Sequence, residues 1–442
     1  MTLPQPETSH NRSAWAIPLI FAGVFLLTAA ILFLALPRLG QVFAFKYGLT
    51  FADGYELIAD NLVHGNGYRM QANTSETMMR EPGYPLFLAG AFKIGGFGIS
   101  TVRWANLLLA IGIAFLMIRL AHLVTGDRTT SVVAALLFLL YPSTLIAESR
   151  GGVEILFIAV VLLFMLLLHR AVDKGNLWHY FAAGLMLGVV VQVRSTPMVF
   201  PIFLLGYLLV FASNAMERLK AVLNITVLVT GMVIIITPWM VRNFRLVQHI
   251  VPTATVQGVA LQEGQYTCQH LTLDENYYVV QNRAGRIRAA MATAFGAPFE
   301  GTYYYQVFYD AHDEWAFNKL LSQGVVNEYL SRPQLLAACA CKNFFNLWFL
   351  GKSWTATLIN VLVQAPLLVL AIAGIELLRR RGQLARMGIV LTFVICIVAV
   401  HLPTVAHARH SVPLVPFLAI PASVSLLSLW QKYKTNSPRQ PA

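Results

Sequence analysis

Apolar residues fall along this chain in long unbroken runs, without the two-residue alternation of a half-buried strand. A helix needs roughly 20 apolar residues to cross a hydrocarbon core about 30 Å thick. Ten runs reach or approach that length, at about 14–36, 101–124, 129–147, 152–170, 177–193, 197–213, 221–238, 355–378, 387–404 and 411–430. The pattern predicts an all-α polytopic membrane protein, a bundle of about ten transmembrane helices. The first run is too long for a signal-peptide core and lacks a convincing cleavage site, so it reads as an uncleaved anchor. Two further apolar stretches, Tyr84–Phe97 and Leu335–Leu350, are short for spanning and read as interfacial or re-entrant helices.

Composition agrees. Of the 442 residues 57% are hydrophobic and 12% charged, against about 25% charged in an ordinary soluble protein. With a mean hydropathy of +0.63, there is too little polar surface for a water-soluble particle, and a disordered chain or a disulfide-stapled secreted domain is excluded. The net charge of +12 raises the question of nucleic acid, but no basic stripe interleaved with aromatics occurs in a soluble segment. The charge lies in short loops instead. One set of loops carries Arg128, then Arg170 and Lys174, then Arg218 and Lys220, then Arg379, Arg380, Arg381 and Arg386, with Lys432, Lys434 and Arg439 in the tail. The opposite turns carry Arg150, Arg194 and Arg409. By the positive-inside rule both termini are expected in the cytoplasm, which puts two larger segments, about 37–100 and 239–354, on the outer face.

The organisation expected is therefore a membrane module over 1–238 with a catalytic first outer loop at 37–100, a small outer-face domain over 239–354, and C-terminal transmembrane helices over 355–442. The four cysteines, Cys268, Cys339, Cys341 and Cys396, form no CxxC pair, and no zinc or redox motif follows from them. No internal repeat or pair of interrupted helices in matching halves stands out, which argues against a secondary transporter.

Chemistry-bearing residues concentrate in the first outer segment. FADGYELIADNLVHGNGYRM reads as an amphipathic surface helix with Ala59, Leu62 and Val63, and Leu57 or Ile58, on its apolar face. From spacing alone Asp53 reads as its N-cap, and Glu56 and Asp60 as solvated face. In MMREPGYPLFLAG, Arg80 precedes a Pro-Gly-Tyr-Pro turn in which Gly83 permits tight bending. Arg80 reads either as an interfacial anchor or as a phosphate ligand. His401, His407 and His410 cluster beside Arg409 without a familiar zinc spacing, so they are expected to make polar contacts at the interface. Asp310, His312, Asp313 and Glu314 read as a charged surface loop.

These motifs carry a resemblance. Asp53 with the following A-x-N-L-x-x-G-x-G-Y, then R-x-P-G-Y-P-L-F-L-A, resembles the first outer loop of GT-C glycosyltransferases, most closely family 39, which is similar to protein mannosyltransferases and lipid A aminoarabinose transferases. LYPSTLIAESRGGVEILF with Glu154, GLMLGVVVQVRSTPMVFP with Arg194, TPWMVRNFRLVQHIVPT with Trp239, Arg242 and Asn243, and ARHSVPLVPFLA with Arg409 continue the resemblance in order. The chain departs from it at Gly54, where relatives often have a second acid, so acceptor or metal contacts are expected to differ.

The resemblance implies an enzyme that moves a sugar from a polyprenyl-phosphate carrier to an acceptor lipid, polysaccharide or protein, on the periplasmic side of a bacterial inner membrane, by inverting attack. The reaction needs no redox cofactor or nucleotide, no P-loop or Rossmann fingerprint occurs, and no metal is expected at the histidines, which lack a familiar zinc spacing. Asp53 takes the general-base role. Arg80, Arg242 and Arg409 are the candidates for binding the leaving lipid phosphate, each well-placed donor contributing about 3–4 kcal/mol to the transition state. Lys352 and Arg103 are weaker candidates. Glu154, Arg194 and Tyr84 are expected as cleft lining or structural polar groups, with Glu154 and Arg194 as a pair. Two rival readings are a flippase or transporter of a lipid-linked sugar, and an inactive relative serving as an assembly partner.

Overall fold

In the computed structural model, residues 10–35, 38, 53–272, 275–297 and 306–436 are described. Among them every regular element is a helix. The membrane part contains α1 (His10–Ala30, continued by a π-helical turn Ile31–Ala35), α4 (Ile99–Thr125), α5 (Arg128–Leu139), α6 (Pro142–Glu148), α7 (Glu154–Lys174), α8 (Leu177–Val193), α9 (Phe200–Phe211), α10 (Ala215–Val247), α15 (Trp354–Arg380), α16 (Leu384–His401) and α17 (Val415–Asn436). Between them lie α2 (Tyr55–Val63) and α3 (Gly83–Gly95), and then α11 (Gln257–His270), α12 (Tyr277–Thr293), α13 (Ala311–Ser331) and α14 (Pro333–Phe349).

Each of the ten apolar runs is helical over most of its described length. Among the described residues six helices are long and apolar enough to cross a membrane, and a seventh span results if α5 and α6, bent by 57° at their junction, count as one. Three other apolar helices, Ile20–Ala35, Leu177–Val193 and Thr196–Phe211, are shorter. At 13 and 17 residues, α3 and α14 are too short to span. Leu108, Ile111 and Phe115 on α4, Val233 and Ile234 on α10, and Leu358 and Leu362 on α15 point outward. Side chains this apolar need a hydrocarbon solvent around them.

The bundle packs through small residues. A Cβ on Gly231 of α10 would come within 2.6 Å of the Phe181 carbonyl, and one on Gly188 of α8 within 2.8 Å of the Met232 carbonyl. The Gly184–Gly188 spacing thus lets two backbones touch, which is how helices associate where hydrophobic burial supplies no drive. Helix α10 does not stop at Pro238, where the apolar run ends; it continues nine residues further to Val247. Proline removes one ladder hydrogen bond, but the next turns are held from outside: Trp239 Nε1 donates to the Thr253 carbonyl at 2.7 Å, and Asn243 Nδ2 to the carbonyls of Val251 and Thr253.

The 239–354 segment supplies four helices that sit over the loop between α16 and α17. The Val405 amide donates to the Ala260 carbonyl, Asn343 Nδ2 donates to the carbonyls of Leu402 and Thr404, and Gly264 lies against the Thr404 backbone. A disulfide joins Cys268 of α11 to Cys339 of α14 across 71 residues. Sequence spacing does not reveal this pairing, because two helices far apart in the chain bring the thiols together.

Candidate active site

Asp53 sits just before α2, but it does not cap that helix. The N-cap is Gly54, at φ +77°, with no side-chain cap. In that left-handed conformation a residue bearing a Cβ is strained, which accounts for glycine at this position. The turn directs the Asp53 carboxylate away from the helix and onto Arg409, whose Nη2 and Nη1 donate to its two oxygens at 2.5 and 3.3 Å. The same guanidinium donates through Nε to Glu154 Oε1 at 2.5 Å. Arg409 therefore bridges two carboxylates, one of them (Glu154) only 2% exposed.

Each member of this triad is placed by a different part of the fold. Glu154 opens α7, where the positive end of the helix favours a carboxylate. The turn before it is held by Asn106 Nδ2, which donates to the carbonyls of Glu148 and Arg150, and by Arg103 Nε, which donates to the Ser149 carbonyl. Gly152 lies against the bridge: a Cβ there would land on Glu154 Oε2 and 2.7 Å from Arg409 Nη2. Arg409 belongs to a 3-10 stretch, Ala408–Leu414, whose first amide donates to the Leu350 carbonyl. That bond ties the stretch to the loop carrying Lys352.

Arg80 completes the cluster. Its Nε donates to the Asp53 carbonyl at 3.1 Å, and its guanidinium lies 4.9 Å from the centre of the Tyr55 ring. It is partly buried, so it is not a side chain reaching out to the headgroups. Its loop is pinned from three sides. Tyr68 donates to the carbonyls of Arg80 and Glu81, the Ser195 amide donates to Glu81 Oε1, and Glu314 accepts from the Thr77 hydroxyl and the Met78 amide. Glu314 also accepts from the Thr255 hydroxyl and is buried, which corrects its reading as surface charge; Asp310 instead caps α13 through the His312 amide.

Arg242 stands apart from the triad. It donates to Glu76 at 2.9 Å and to the Thr77 carbonyl, under Tyr68 and Trp239. Two of the three candidate arginines thus converge on Asp53, and the third braces the neighbouring loop. Glu154 and Arg194 form no ion pair; Arg194 lies over the Phe157 ring, 5.9 Å from its centre. Tyr84 is fully buried with its ring edge-on to Tyr55 at 5.1 Å. Gly83 owes its place to close approach rather than to a tight turn, since a Cβ would come within 2.7 Å of the Gln192 carbonyl.

The surface helix is rotated from the expected face. Tyr55, Glu56, Ile58, Ala59 and Asn61 are buried while Val63 is exposed. Glu56 is therefore not on a solvated face, because α2 turns that side toward α3 and the site. His401, His407 and His410 stack, with ring centres 5.0 Å (401–410) and 4.1 Å (407–410) apart, and Tyr277 of α12 lies 5.4 Å from His407. Among the described residues no group of three or more histidines, cysteines or acids is arranged to hold a metal ion.

The electrostatics favour anions. Burial on its own would raise the Asp53 pKa, but the charge and hydrogen bond of Arg409, with Arg80 and Lys352 behind it, hold the carboxyl well below the usual carboxylate range. Lys352 is pushed down to about 8 by burial and by the charges of Arg150 and Arg409. Burial likewise brings Arg150 down to about 10. Arg80, Arg150, Lys352 and Arg409 thus form a cationic cluster around Asp53, which Glu154, Glu81 and Glu263 face from its margins. Arg150, read from sequence only as a loop charge, belongs to it.

Residues 79–241 match the family described as dolichyl-phosphate-mannose-protein mannosyltransferase. That stretch includes Arg80, Glu154 and Arg194 and leaves out Asp53 and Arg409. No curated protein matches the sequence. Among solved structures, the apo oligosaccharyltransferase of Archaeoglobus fulgidus shares the fold at a TM-score of 0.56 and 14% identity, over 97% of this chain and 52% of that one. The chain thus spans about half the length of that protein. ArnT from Cupriavidus metallidurans, bound to undecaprenyl phosphate, aligns at a TM-score of 0.41 and 15% identity over 97% of this chain and 82% of its own. The chain is thus a polytopic membrane protein that shares its fold with that oligosaccharyltransferase and is similar over residues 79–241 to the dolichyl-phosphate-mannose-protein mannosyltransferase family.

Proposed function

We propose that this protein transfers a sugar from a polyprenyl-phosphate-linked donor to a hydroxyl of a lipid, polysaccharide or protein acceptor at the outer, periplasmic face of a bacterial inner membrane. The observation that carries this reading is the partly buried cluster in which Asp53 is bonded to Arg409 and Arg80, with Lys352 and Arg150 close behind. A leaving lipid phosphate is poor unless its growing charge is neutralised, and preorganised guanidinium groups do this without reorganising. Arg409 and Arg80 are the groups for it. Arg242 holds the Arg80 loop through Glu76 and Thr77.

Asp53 aligns the acceptor hydroxyl and draws its proton during backside attack on the anomeric carbon, which inverts that centre. In the unliganded state Asp53 is a weak base, because Arg409 is bonded to it. An incoming phosphate competes for Arg409, and as that bond loosens the proton affinity of Asp53 rises. The donor's arrival thus prepares the base.

The Cys268–Cys339 bridge supports an outer placement of the 239–354 segment, since disulfides persist in oxidising compartments and are rare in the cytosol. The charge asymmetry of the short loops supports the same orientation, with both termini cytoplasmic. The test is mass spectrometry of envelope glycolipids, glycans and proteins from cells lacking this chain, complemented by wild type or by Asp53→Asn. Loss of one sugar, restored by wild type alone, is the expected result. Full restoration by Asp53→Asn overturns the role of Asp53, and an unchanged envelope in the deletion overturns the transferase.

A further inference from the structure

One buried acid near the site is left without a task by that scheme. Glu56 lies in the first turn of α2, three residues beyond Asp53. It is only 7% exposed, and its Oε2 is buried without a hydrogen-bond partner. By contrast, Asp53 and Glu154 are engaged by Arg409, and Glu81 by the Ser195 amide. A buried carboxyl oxygen left unsatisfied costs on the order of 1–3 kcal/mol. Helix packing does not require an acid here, because glutamine or leucine would fill the volume.

We infer that Glu56 is a second acid of the reaction, the group on which the acceptor's proton comes to rest. The inference rests on the transferase reading above and assigns the fate of a proton which that reading leaves on Asp53. In the step, the acceptor oxygen forms a bond to the anomeric carbon, and the carbon–oxygen bond to the lipid phosphate breaks. The electron pair of the broken bond stays on the phosphate oxygen. The acceptor's proton passes through Asp53 to the Glu56 carboxylate, making it a neutral acid, which later releases the proton to water at the membrane surface.

The direction of transfer follows from the surroundings. The charges acting on Glu56 are Asp53, which opposes its ionisation, and Arg80, which favours it; the backbone amides of Glu56 and Gly54 also favour the charged form. Its chain neighbour Tyr55 is pushed up to about 12 by its burial and stays neutral. Burial dominates for Glu56 and raises it to about 7. Asp53 is held far lower. A proton therefore runs downhill from Asp53 to Glu56, and a group titrating near neutrality both accepts and releases it readily.

The experiment has two arms, both on the full-length chain. In the first, infrared difference spectra of the purified protein in lipid nanodiscs are recorded across pH 5 to 9 without substrate. A carboxyl titrating at about pH 7 is expected in wild type, at lower pH in Asp53→Asn, where the opposing charge is gone, and absent in Glu56→Gln. Its persistence in Glu56→Gln, or its absence from wild type, overturns the inference. In the second, envelope vesicles from the deletion strain, which carry the native donor and acceptor, are supplied with each variant and sugar transfer is followed against pH. Glu56→Gln is expected to lower the rate about 100-fold and to abolish the acid limb of the profile. Glu56→Asp restores part of the rate with the limb displaced. Transfer by Glu56→Gln with an unchanged profile overturns the role of Glu56 alone, whereas a wild type that transfers nothing overturns the transferase reading.

Discussion

The tightest geometric demand in the site falls on Gly152, and adding a single methyl group tests it. In Gly152→Ala the new Cβ overlaps Glu154 Oε2 and stands 2.7 Å from Arg409 Nη2. Both neighbours are side-chain tips, which elsewhere would swing aside at little cost. Here they cannot do so independently, because Arg409 is bonded to Glu154 at 2.5 Å and to Asp53 on its other side. Overpacking costs about 1–3 kcal/mol, and full rupture of a buried ion pair costs about 3–5 kcal/mol. A bridge that is displaced but not lost places Gly152→Ala at about 2–3 kcal/mol. The assay is denaturant unfolding of the purified protein in mixed micelles for wild type, Gly152→Ala, Glu154→Ala and the double variant. Removing the Glu154 carboxylate removes the clash, so the cost of Gly152→Ala should fall sharply in that background, with a coupling of about 1–3 kcal/mol. If the two substitutions add, or if Gly152→Ala costs under 0.5 kcal/mol, within the ordinary spread of neutral substitutions, the triad is not the rigid bridge described here.

Other consequences follow from the same geometry. Arg80→Ala and Arg409→Ala should each weaken binding of a polyprenyl phosphate at least tenfold, measured by tryptophan quenching, whereas Arg242→Ala should act mainly through loop order and be partly rescued by Arg242→Lys; equal affinity in all three removes the phosphate role. Glu56 has a folded pKa of about 7 against an ordinary value of 4.5, so the native state binds the extra proton and stability falls as pH rises between those values. Glu56→Gln lacks that penalty and should match wild type near pH 5 but exceed it above pH 7 by about 3 kcal/mol at most, as chemical unfolding at the two pH values would show. Cys268→Ser should lower stability by about 2–4 kcal/mol, and non-reducing peptide mapping should recover Cys268 linked to Cys339; recovery of both as free thiols contradicts the pairing. Glu314→Ala should loosen the Arg80 loop and raise proteolysis near residues 76–81, while leaving the membrane helices intact by circular dichroism.

Much of this protein is legible in its sequence, for a physical reason. A bilayer imposes one rule on every segment that enters it: backbone groups must be satisfied within the segment, so apolar length translates directly into helix. That is why ten runs correspond to ten helical regions, and why Gly184 and Gly188 mark a close helix contact. Positions that bear charge at the ends of those runs also stand out, and Asp53, Arg80, Glu154 and Arg409 are among them. Sequence does not settle what each charge meets. Spacing favoured Asp53 as a helix cap, Glu154 with Arg194 as a pair, and Glu56 as solvated face. A cap, a partner and a buried face depend on where other segments arrive, and here those segments come from as far as 356 residues along the chain.

Tertiary structure alone decided the rest. It set Arg409 between Asp53 and Glu154, gave Arg242 to Glu76, buried Glu314 under three donors and joined Cys268 to Cys339. The membrane makes local pattern sufficient for the helices. The site is a meeting of loops, and its charges take their partners and proton affinities from distances that only the folded chain defines.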